Sequence, residues 1–104
     1  MAHDGDAEAV GSRFPRFAAE LAAALRARGD GRLADQVAGL RVVRECDCGD
    51  DFCRSFHTAP PPDGPYGPGH RCVTVTPERD GTFVLDVVDD VIVYVEALTR
   101  ARLD

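Results

Sequence analysis

From Thr82 to Leu98 the chain is aliphatic, β-branched or aromatic except at Asp86, at Glu96 and at the Asp89-Asp90 break in its middle. Two Val-rich runs flanking a two-residue break, filled by residues that tolerate left-handed backbone, make a tight antiparallel hairpin. A lone hairpin is at best marginal in water, so this one requires further strands and a cover. Its apolar residues fall on both phases of the strands, which calls for burial on more than one side with a helix over one face.

The cover comes from the N-terminal third. Ser12 is a candidate N-cap, Pro15 fits a first helical turn, and an Ala-rich segment runs to Arg28 before Gly29 ends it. Phe14, Phe17, Leu21, Ala24, Leu25 and Arg28 recur at spacings of three and four, while Arg16, Glu20 and Arg26 fall elsewhere on the helix. A second short helix is expected over Leu33 to Ala38, started near Asp30 or Gly31 and closed by Gly39. Strands are expected at Leu40 to Cys46, returning over Phe52 to Thr58 after a Gly49-Asp50-Asp51 turn, and at Arg71 to Thr76, with Asp80-Gly81 turning into the hairpin. Residues 59–69 hold five of the seven prolines and form a surface loop, because proline removes the N–H donors a helix or central strand needs.

Helices followed by strands, without βαβ alternation, specify a single α+β domain: one or two N-terminal helices packed on an antiparallel sheet of four or five strands. The 104 residues allow one core. Residues 1–11 read as a flexible tail and 12–104 as the domain. The expected core includes Phe17, Leu21, Leu25, Val42, Val75, Leu85, Val87, Ile92 and Tyr94.

A net charge of −6 repels phosphate backbones and anionic lipid, which argues against nucleic-acid and membrane partners. The acidic start, Met1-Ala2-His3-Asp4-Gly5-Asp6, lacks the positive and apolar regions of a secretory signal, so the expected location is cytoplasmic. In that reducing setting the four cysteines are expected as thiols or metal ligands rather than permanent disulfides.

Three of them cluster in Cys46-Asp47-Cys48-Gly49-Asp50-Asp51-Phe52-Cys53. Residues i and i+2 of a strand share a face about 6.6 Å apart, so Cys46 and Cys48 can meet one ion, with Cys53 returning beyond the turn. Tetrahedral zinc then needs a fourth ligand, for which His70 and Cys72 are preferred to His57, since His57 lies about 13 Å from Cys53 along an extended strand. Other fates for the cysteines are buried unligated thiols, a Cys48–Cys53 disulfide, or a redox role, although the helix N-terminus that activates a redox thiol is missing. Nucleophilic catalysis would need Cys53 beside His57 or Cys72 beside His70, and neither spacing along a strand is expected to give contact. Asp50-Asp51 and Asp89-Asp90 read as turn formers, and no P-loop, G-x-G-x-x-G or H-E-x-x-H motif occurs.

The cysteine block, together with Thr58-Ala59-Pro60, Tyr66-Gly67-Pro68-Gly69-His70-Arg71 and the hairpin Leu85-Asp86-Val87-Val88 to Val95-Glu96, resembles small uncharacterised cysteine-containing proteins of GC-rich actinobacteria. No established activity attaches to that group. The resemblance implies a shared Gly-Pro-Gly-His run, with a cysteine at position 72 less typical, and so favours His70 as fourth ligand. The expectation is a structural zinc at Cys46, Cys48, Cys53 and His70 in a non-catalytic regulatory or protein-interaction module, with Tyr66 in the Pro-rich loop as the anchor for a protein partner. Alternatives are a thiol-based redox sensor or enzyme using the clustered cysteines, and an acidic inhibitor or immunity-like protein that meets a basic target.

Overall fold

The computed structural model describes residues 8–45, 54–60, 62–77 and 81–99. Three helices, α1 (Val10–Arg13), α2 (Pro15–Ala27) and α3 (Gly31–Gln36), precede five strands, β1 (Arg44–Glu45), β2 (Arg54–His57), β3 (His70–Val75), β4 (Thr82–Val88) and β5 (Val91–Leu98). Every pairing is antiparallel and the order across the sheet is β1-β2-β5-β4-β3, so the fold is α+β with the hairpin near its centre.

α2 presents Phe17, Leu21 and Leu25 to the sheet, while β4 sends Phe83, Leu85 and Val87 inward and leaves Val84, Asp86 and Val88 on the other face. Phe17 is the hub of the interface: its ring meets Phe83 at 4.9 Å and Phe56 at 5.9 Å, both edge-on, the geometry that aromatic quadrupoles favour. α2 stops where Gly29 takes φ +92° and the N–H groups of Gly29 and Asp30 turn back to the carbonyls of Arg26 and Leu25, a double bond pattern that a left-handed residue permits. The hairpin turns on Asp89 and Asp90, with φ of +50° and +65°, the mirror-image turn whose twist matches the strands. Gln36 ties α3 to this turn, its amide donating to the Asp90 carbonyl and accepting from the Ile92 N–H.

Three expectations need correction. The helix does not begin at Ser12, which lies inside α1; Phe14 occupies the N-cap of α2 and Pro15 its first position, where the missing N–H costs nothing. The ordered domain starts before residue 12: Val10 is fully buried and its N–H bonds the Leu40 carbonyl, while Ala9 bridges Arg41, so the run expected as a strand from Leu40 pairs there with the N-terminal segment and turns to β2 from Val43, whose N–H bonds the His57 carbonyl. Tyr94 is not in the core. The register passes from Asp86↔Tyr94 to Val87↔Ile92, so Val93 is an extra residue in β5 and everything after it changes face.

Among the described residues no helix is long and apolar enough to cross a membrane.

Candidate functional site

The helices cover one face of the sheet. The other face carries a polar row that follows directly from register: Arg44 pairs with His57, His57 with Tyr94, Tyr94 with Asp86, and Asp86 with Cys72. His70, two residues before Cys72, shares that face at the edge strand.

The ladder phase decides how closely these side chains approach. Asp89 donates its N–H to Gly69, which places the hydrogen-bonded pairs at Gly69, Arg71, Val73 and Val75 and makes Cys72 and Asp86 a non-hydrogen-bonded pair, the kind with the closer side chains. Consistent with this, the His70 N–H points off the sheet edge to the Gly67 carbonyl, and the Thr74 carbonyl accepts from Arg28 at 2.8 Å. Both contacts blunt an edge strand that would otherwise offer free pairing groups.

The result is a convergence of three metal-capable groups. His70 Nε2 lies 2.7 Å from Asp86 Oδ1, the Cys72 thiol donates to the same oxygen at 3.4 Å, and Cys72 Sγ is 4.0 Å from His70 Nε2. All three ligand atoms fall within 4.8 Å of one another, so the group can hold a metal ion. Zinc bonds of about 2.3 Å to sulfur and about 2.0–2.1 Å to nitrogen or oxygen, set at tetrahedral angles, separate donor atoms by about 3.3–3.6 Å. The observed separations straddle that range, and side-chain rotations of about half an ångström bring them into it.

The same geometry speaks against a catalytic triad. A Cys-His-Asp relay needs the thiol on one imidazole nitrogen and the carboxylate on the other, whereas here both contact Nε2. The thiol is also moved in the wrong direction for a nucleophile: its hydrogen bond to Asp86, then desolvation, then the negative charges of Asp86 and Glu96 push the Cys72 pKa up.

His70 and Cys72, each expected as a possible fourth ligand, are therefore brought together, contrary to the expectation that their spacing gives no contact: two side chains on one face of a strand lean toward each other even with their Cα atoms about 6.6 Å apart. Cys46, Cys48 and Cys53, and with them the Cys48–Cys53 disulfide, lie outside the described residues. His57 stands apart on β2, two strands and about 10 Å from Asp86, with its ring 4.5 Å from that of Tyr94. Burial and then the nearby Arg44 lower its pKa, Asp86 opposes them, and its Nδ1 is inaccessible with no hydrogen-bond partner among the described residues.

Tyr66 is half-buried, and its ring stacks on that of His70 with centroids 4.7 Å apart and planes at 28°. The Gly67-Pro68-Gly69-His70 turn creates this contact. Gly67 sits at φ +91°, a conformation costly for other residues, and its carbonyl accepts the His70 N–H at 3.2 Å, folding Tyr66 back over the strand it precedes. Gly69 is pressed against the hairpin tip so closely that a Cβ there would collide with the Asp89 carboxylate.

The residue that sequence reasoning missed is Asp86. Its signal was a lone carboxylate inside Phe83-Val84-Leu85-Asp86-Val87-Val88, a charge that an apolar strand does not accommodate on its core phase.

No protein-family model, no curated protein and no solved structure matches the chain, which leaves the chemistry of the site as the guide to its role.

Proposed function

We propose that the protein is a small zinc-binding module whose ion is held on the open face of the sheet by His70, Cys72 and Asp86. The observation that carries this reading is the meeting of an imidazole, a thiol and a carboxylate at one point, with a donor set that matches zinc preferences. Thiolate and carboxylate together neutralise a divalent cation, whereas without one the thiol keeps its proton on the hydrogen bond to Asp86, with desolvation and the negative charges of Asp86 and Glu96 acting in the same direction. Cys72 is exposed, and three protein ligands leave a tetrahedral ion one position for water or for a donor from a protein partner. A cytoplasmic location keeps the thiol reduced and fits this reading.

The test is elemental analysis and zinc titration of untagged protein, comparing wild type with Cys72→Ser, Asp86→Asn and a triple variant in which Cys46, Cys48 and Cys53 are serine. One zinc per chain that survives the triple change and is lost in Cys72→Ser supports the sheet site. Zinc lost in the triple variant and retained in Cys72→Ser assigns the ion to the cysteine cluster instead.

A further inference from the structure

Resting on that zinc reading, we infer that Tyr66 is a positioning residue for the ion, setting its affinity by holding the plane of the His70 imidazole. In the metal-free arrangement the polar contacts of the His70 ring both fall on Nε2, with Asp86 Oδ1 at 2.7 Å and with Cys72 Sγ at 4.0 Å. A metal-ligating histidine is normally steadied by an acceptor on its other ring nitrogen, yet among the described residues Nδ1 of His70 has none. An ion entering the site takes Nε2, the carboxylate oxygen and the Cys72 sulfur as ligands and so replaces both of those contacts. What remains against the imidazole is the Tyr66 face, 4.7 Å away and inclined by 28°.

Three features built into the chain keep Tyr66 in that place. Gly67 supplies the left-handed turn, the His70 N–H closes it onto the Gly67 carbonyl, and Gly69 seats it against Asp89 at the tip of the β4–β5 hairpin. The stack has a chemical benefit as well: coordination makes the imidazole more cationic, and an electron-rich phenol face attracts such a ring. The Pro-rich loop thereby acts on the site through its last residues, and a ligand-competent His70 is preorganised rather than selected from free rotamers.

Zinc affinity measured against a competing chelator for wild type, Tyr66→Ala and Tyr66→Phe tests this, with imidazole nitrogen shifts recorded by NMR on the same three proteins. Tyr66→Ala is expected to weaken zinc about ten-fold or more, the range found when outer partners of metal ligands are removed, and Tyr66→Phe to stay within about three-fold of wild type. The His70 nitrogen shifts of metal-free Tyr66→Ala should move while its melting temperature stays near that of wild type. Unchanged zinc affinity in Tyr66→Ala overturns the role of Tyr66 and leaves the metal site standing. Equal weakening in Ala and Phe overturns it too, since the hydroxyl rather than the ring face would then matter. A wild type that binds no zinc removes the site itself, and this role with it.

Discussion

Zinc binding should expel a proton from Cys72, and that proton can be counted. The thiol donates to Asp86 Oδ1 at 3.4 Å and feels the charges of Asp86 and Glu96, so its pKa lies above the ordinary thiol value and it remains protonated between pH 7 and pH 8. Zinc takes a cysteine only as thiolate, so each ion bound must displace that proton. By mass action, one proton released makes affinity rise about ten-fold per pH unit. Serine does not ionise in this window, and Cys72→Ser should bind more weakly with a slope shallower by one. Taking the difference between the two proteins cancels whatever His70 and the other groups contribute. Calorimetry in two buffers of different ionisation enthalpy gives the count directly, and the expected excess is one proton per zinc in wild type. Equal counts would refute the placement of Cys72 on the ion. In the metal-free protein the sign is reversed. A folded-state pKa above the unfolded one contributes stability that is present at lower pH and is lost as pH rises through the folded value, so alkaline solution should loosen metal-free protein while it tightens zinc binding.

Replacing Phe17 with Ala removes a fully buried ring from contact with Phe56 and Phe83 and should cost about 3–5 kcal/mol by denaturant unfolding, with Phe17→Leu costing less than half of that; a loss below about 1 kcal/mol for Ala would show that the helices are not docked as described. His57 has its pKa lowered from 6.5 by burial and then by Arg44, against the opposing pull of Asp86, so its folded state resists protonation and stability should fall as pH drops below about 6.5. His57→Phe should flatten that acid limb of the denaturation midpoint between pH 7.5 and pH 5.5, and an unchanged limb would assign it to other groups.

Local chemistry made the central hairpin legible. β4 and β5 have the bounds expected from the sequence, because Asp89-Asp90 leaves little freedom in where two Val-rich strands must turn. α2 was legible for a similar reason, its Phe17, Leu21 and Leu25 stripe having a single period to obey. Tyr94 was not, since alternation counted from Ile92 cannot reveal the extra residue at Val93. Nor was the site. His70 and Cys72 are neighbours along the chain, but Asp86 joins them only through the β3–β4 register, a long-range fact that two short sequences fourteen residues apart do not state. Tyr66 on His70 depends on a left-handed Gly67, which the Gly-Pro-Gly run permits without dictating.

X-ray absorption at the zinc edge of the loaded, untagged protein tests the sheet site most directly, because sulfur and the lighter donors scatter differently and lie at different distances. Ligation by His70, Cys72 and Asp86 predicts one sulfur at about 2.3 Å with nitrogen and oxygen neighbours at about 2.0–2.1 Å, one of them carrying the outer-ring scattering of a single imidazole. Three sulfur neighbours would contradict it and place the ion on Cys46, Cys48 and Cys53.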